Sequence, residues 1–112
     1  MNNNSNCVID IDEIKQKCKK GNLRWSDHIF KRFVQRKINK PDVVCVLMGG
    51  EIIEQYPDDY PYPSCLILGF DSAGRCIHVV CGMGETELYL VTAYCPDVDE
   101  WSDDFKIRKE QK

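Results

Sequence analysis

The sequence predicts an α+β fold in which two to three N-terminal helices pack on a four-stranded, mainly antiparallel sheet. Three observations carry that expectation. Apolar residues recur at helical spacing as far as Gly49 and Gly50, and at alternate positions beyond them. Cap residues, Ser26 and Asn39, stand ahead of the second and third helical stretches. The later apolar runs are joined by short connections, which make neighbouring strands antiparallel. A chain of 112 residues builds one core, and helices followed by strands belong to α+β layering.

Residues 1–9 read as a polar, disordered lead, 10–108 as the domain and 109–112 as a frayed tail. The first helix starts near Asp10 or Asp12. Ile11, Ile14 and Cys18 take helical spacing, acids precede lysines as the helix dipole favours, and Gly21 ends it. The second lies within Arg24–Ile38, where Ser26 caps, Asp27 suits the positive end and Trp25 folds onto Phe30 as a staple. Ile29, Phe30, Phe33 and Val34 form its apolar arc, while His28, Arg32 and Arg36 stack at i, i+4 and i+8 along another. A short buried helix follows, with Asn39 as cap, Pro41 in the first turn and Gly49–Gly50 as its stop.

Strands are expected over Glu51–Tyr56, Ser64–Phe70, Arg75–Cys81 and Glu87–Cys95, with Gly82–Gly84 as a turn. Alternation puts Cys76, His78 and Val80 on one face of the third strand, and Leu88, Leu90, Thr92 and Tyr94 together on one face of the fourth. The tail reads as extended or briefly helical, pinned by Trp101, Phe105 and Ile107.

Several classes of function drop out on composition. No apolar run reaches the ~18 residues of a membrane span. The N-terminal stretch has neither the cationic region nor the apolar core of a secretory signal, so the cytoplasm is the expected compartment. The seven cysteines lack CxxC spacing and sit largely in apolar stretches, so buried thiols are expected rather than disulfides or zinc. Walker, GxSxG and GxGxxG motifs do not occur.

The net charge of −3 hides a segregation: residues 14–40 hold ten Lys/Arg against Asp27, and residues 41–105 hold thirteen acids against Arg75. A basic end suits a phosphate ligand, and it also suits an ordinary solvated helix. Stacked cations repel unless an anion joins them. For His28, Arg32 and Arg36 that anion is a ligand phosphate, or else Asp58, Asp59 or the acidic tail of the same chain. His78 is either a satisfied strand histidine or a partner of His28. If His28 and His78 converge with the arginines, the group suits metal-free RNA cleavage, one imidazole taking the 2′-hydroxyl proton and the other protonating the leaving 5′-oxygen. Tyr60 and Tyr62, in a loop stiffened by prolines, either stack on unpaired bases or close a rigid connector onto the core. Tyr94 either finishes the core or supplies a hydroxyl at the strand end.

Trp25-Ser-Asp-His28, Arg32, Arg36 and Ile38-Asn-Lys-Pro-Asp-Val43 resemble the signature of the bacterial domain of unknown function 4258 family. The run Gly50-Glu-Ile-Ile-Glu-Gln-Tyr-Pro-Asp-Asp-Tyr-Pro-Tyr-Pro-Ser64, then Leu66-Ile-Leu-Gly69, Arg75, His78-Val-Val80 and Tyr94-Cys-Pro-Asp97, continue it. That family is similar in pattern to RelE/ParE-like toxins, small metal-independent ribonucleases of helices-then-sheet architecture. The resemblance implies a toxin-like ribonuclease of a toxin–antitoxin module, without cofactor or metal, acting on RNA or at the ribosome and opposed by a zinc-finger antitoxin. It implies catalytic roles for His28, Arg32 and His78, phosphate or RNA contacts for Arg36 and Arg75, and a lesser part for Tyr94. The acidic total departs from the basic character of such toxins. The alternative is a non-enzymatic, protein-binding module of the same fold.

Overall fold

The computed structural model describes residues 8–109. Helix α1 spans Ile11–Lys19, β1 Leu23–Trp25, α2 Asp27–Arg36, α3 Lys40–Gly49, β2 Glu51–Tyr56, β3 Ser64–Phe70, β4 Cys76–Met83 and β5 Leu88–Tyr94. The fold is α+β, with three helices on a five-stranded mixed sheet of order β1-β5-β4-β3-β2. Strands β2 to β5 form an antiparallel meander. The fifth strand, β1, departs from the four expected. It has three residues, too few for alternation to show, and it pairs parallel to β5.

Local chemistry sets the helix ends. Asp10 caps α1 through the Asp12 N–H at 3.0 Å, and Ser26 caps α2 through the Ile29 N–H at 3.1 Å. Asn39 and Asp42 form a reciprocal capping box on α3, each bond 3.0 Å long. Lys37 takes the left-handed conformation that stops α2. The apolar arc of α2 is narrower than expected: Ile29 is buried, whereas Phe30 is 40% and Val34 84% exposed. Only one edge of the arc meets the sheet.

The core lies between the helices and one sheet face, joining Ile14, Ile29, Val43 and Leu47 to Ile67, Val79 and Leu90. It reaches back to Ile9, which is buried and bound through both backbone groups to the Gln55 amide at 3.0 and 2.9 Å. Ile9, read as part of the lead, therefore packs with the domain. The rest of the predicted lead, 1–7, and residues 110–112 of the predicted tail lie outside the described residues.

Two features of β4 and β5 decide the opposite face. Gly82 and Met83 continue β4 instead of forming a turn. A bulge in β5 then lets Val80 pair with Thr92 while Cys81 pairs with Leu90. Cross-strand partners share a face, so Leu88 and Leu90 enter the core while Tyr89, Thr92 and Tyr94 face away from it. The expected single face of Leu88, Leu90, Thr92 and Tyr94 is thus split. An unbroken period of 2 cannot announce an inserted residue.

The outward face is half covered. A turn at Asp97–Trp101 and an antiparallel bridge between Trp101 and Arg108 lay the tail across it. Trp101 is 2% exposed, while Ile107, expected as a third pin, is 67% exposed. Arg108 binds Glu54 at 3.1 Å and Lys106 binds Glu51 at 3.0 Å, tying the tail to β2. Among the described residues, no helix is long and apolar enough to cross a membrane.

Candidate functional site

The uncovered half of the outward face is a groove of about 390 Å³, within the range of small-molecule sites. Its floor is Val80 and Gly82 of β4 with Tyr89 and Val91 of β5. The Tyr60–Tyr62 loop forms one wall. Arg24 of β1, the cap Ser26 and His28 form the other. Tyr62 stacks on Tyr89 with ring centres 5.1 Å apart and planes 25° from parallel, and Tyr60 is 95% exposed. Tyr60 thus does not close the loop onto the core. Each wall is placed by backbone chemistry. β1 runs parallel to β5 and sets Arg24 beside Tyr89, and the Ser26 hydroxyl donates to the Val91 carbonyl at 3.3 Å, fixing the start of α2 over β5.

His28 is exposed at the groove mouth. Arg32 Nε donates to its Nε2 at 3.2 Å, and Arg32 Nη1 donates to Gln35 Oε1 at 2.9 Å. A guanidinium has no acceptor, so His28 presents the lone pair of Nε2 to Arg32. None of the ion pairs among the described residues involves His28, Arg32 or Arg36. Arg24, by contrast, is joined to Glu87 at 3.0 Å. Asp59 brings a carboxylate to the loop wall, where its Oδ2 accepts from the Ser64 hydroxyl.

Arg36 sits two turns along α2, about 12 Å from His28 by helix rise. It donates to the Ala93 carbonyl at 2.8 Å and lies 6.0 Å from the Tyr94 ring centre, pinning the end of α2 to β5. Arg75 is farther away in function: it donates to Asp71 at 2.9 Å and to the Lys37 carbonyl at 2.9 Å, and pairs with Asp42 at 3.4 Å. Those bonds tie the β3–β4 turn to the α2–α3 junction. The same contact holds the Asp71 carboxyl below its ordinary range, first through the Arg75 backbone N–H.

His78 does not join His28. It is fully buried, with the Trp101 ring edge-on at 4.6 Å. Nε2 lies 2.9 Å from the Phe105 carbonyl, which only accepts, so Nε2 carries the proton and Nδ1 accepts from the Tyr94 hydroxyl at 3.3 Å. Burial lowers the His78 pKa and raises that of Tyr94. Both ring nitrogens are satisfied, so the two-imidazole arrangement does not form in this structure.

A family model described as domain of unknown function (DUF4258) matches residues 25–95, more than half of the chain. The chain belongs to the DUF4258 family. The matched span holds His28, Arg32 and the tyrosine loop, and it stops short of Trp101 and Phe105, which cover His78. Searches of curated proteins and of solved structures give no match.

Sequence reasoning missed Arg24, Tyr89 and Ser64 as parts of the groove and offered Asp59 only as an internal partner for the cations of α2 or as a charge repelling a nucleic acid backbone. For Tyr89 a signal existed, since it alternates with Leu88 and Leu90 and so faces away from the core. Arg24 had none, because its place depends on a parallel pairing with β5, far along the chain.

Proposed function

We propose that this protein is a metal-independent, toxin-like ribonuclease that holds single-stranded RNA in the tyrosine groove and cleaves it at His28. The observation that supports this most is that His28, at the mouth of an aromatic groove, is bonded to Arg32, and that neither has a carboxylate partner among the described residues. Exposed tyrosine faces stack on unpaired bases, and a guanidinium fork binds phosphate. An incoming phosphate draws Arg32 off Nε2, which frees that lone pair to accept the 2′-hydroxyl proton. The 2′-oxygen attacks phosphorus, the bond to the 5′-oxygen breaks, and water protonates the leaving oxygen. Arg32 stabilises the charge on the phosphorane. The products are a 2′,3′-cyclic phosphate and a 5′-hydroxyl. An antitoxin would then act by covering the groove.

The test is an end-labelled, single-stranded RNA incubated with the protein in excess chelator. Fragments ending in a 2′,3′-cyclic phosphate are expected, with loss of cleavage in His28→Ala and Arg32→Ala variants that keep the wild-type circular dichroism spectrum. Binding should weaken steeply with salt. Intact RNA at excess protein defeats the cleavage reading and favours the protein-binding module. That second reading has its own support in Phe30 and Val34, exposed one turn apart on α2.

A further inference from the structure

The groove is chemically polarised. Arg24 and the His28 imidazole line one wall, while the opposite wall carries the Asp59 carboxylate with Tyr60 and Tyr62. Ser64 is buried, and its hydroxyl occupies Asp59 Oδ2, so the carboxylate is oriented rather than free to rotate. The other oxygen, Oδ1, has no hydrogen-bond partner among the described residues. A ligand that fills this groove must therefore offer a flat face to Tyr60 or Tyr62, hydrogen-bond donors to a carboxylate, and negative charge to the opposite wall. Among the RNA bases, guanine alone presents two adjacent donors, N1–H and the 2-amino group, on one edge. Adenine and cytosine each place an acceptor beside their single amino donor, and uracil has a lone N–H between two carbonyls, so all three set oxygen or nitrogen lone pairs against the carboxylate.

We propose that Asp59 reads a guanine base through its N1–H and 2-amino group, making guanosine the nucleotide held in this groove. The inference rests on the groove being an RNA site, as proposed above, and it does not depend on cleavage. Asp59 contacts the base, whereas Ser64 is a positioning residue that acts through it. Tyr60 supplies stacking that every base shares.

The probes are the 3′-monophosphates of guanosine, inosine, adenosine and cytidine, titrated against the full chain by calorimetry. Guanosine is expected to bind about tenfold or more tightly than adenosine or cytidine, with inosine, which lacks the 2-amino group, in between. Asp59→Asn should erase the preference, bringing guanosine affinity down to that of adenosine. Ser64→Ala should narrow it, and Tyr60→Ala should weaken all four nucleotides alike. Equal affinity for the four probes, or a preference that survives Asp59→Asn, overturns the inference. So does tight binding of tetramethylammonium that excludes the nucleotides, which would make the groove an organic-cation site. RNA cleaved without regard to base sinks this inference and leaves the ribonuclease reading standing. Guanosine preference without cleavage does the reverse, and no nucleotide or RNA bound at all sinks both.

Discussion

The buried His78 makes the protein acid-sensitive over a window that can be worked out from its surroundings. In an unfolded chain its ring titrates near ~6.5. In the folded protein desolvation holds it lower, outweighing the Phe105 carbonyl, with Arg108 also lowering and Glu54 raising it. Between those two values the unfolded state binds one proton more than the folded state. Stability from this group is therefore complete above about pH 6.5 and falls as the pH drops, by up to about 1.4 kcal/mol per unit, until the pH passes the depressed pKa. For a domain of about 5–15 kcal/mol, one unit removes roughly a tenth to a quarter of the total. Urea unfolding at about pH 7.5 and about pH 5.5 measures the loss, provided the slope with denaturant is unchanged. His78→Gln keeps an amide donor for the Phe105 carbonyl and does not titrate. It should start less stable, having lost the edge contact with Trp101, and then lose less stability than the wild type on acidification. Parallel losses in the two proteins would refute the reasoning.

Further outcomes follow from the packing. Gly50→Ala places a Cβ 2.5 Å from the Leu68 carbonyl and 2.6 Å from that of Val46, and two backbone oxygens cannot both retreat, so a sharp fall in melting temperature is expected. Gly49→Ala meets nothing within 4 Å and should be neutral or stabilising by up to about 1 kcal/mol, the same melt serving as comparison. Ser26→Ala loses the α2 cap and the bond to Val91, costing about 1 kcal/mol in urea unfolding. Arg75→Ala should lower the melting temperature and leave RNA affinity unchanged, because its guanidinium is spent on Asp71, Asp42 and the Lys37 carbonyl; a loss of RNA affinity in the folded variant would restore it to the interface.

The helices and the four-strand meander were legible because their signals are local. Ser26 and Asn39 cap the helices as read, and Gly49 and Gly50 mark the change of period, since each of these acts through bonds within a few residues. The alignment of His28 with Arg32 was legible for the same reason, the two being one helical turn apart. His78 and Val80 were placed correctly on one face by alternation, yet alternation says nothing about what covers that face.

By itself the sequence determined the α+β class, the caps and stops of the helices and the alignment of His28 with Arg32, all of them consequences of short-range periodicity and capping. Only the tertiary structure decided that β1 closes the sheet in parallel, that a bulge turns Thr92 and Tyr94 away from Leu90, and that Trp101 seals His78 while Asp59, Tyr60 and His28 border open solvent. Those outcomes depend on pairings between distant residues. Such pairings form when the whole chain buries its apolar surface together, and no local pattern of side chains encodes them.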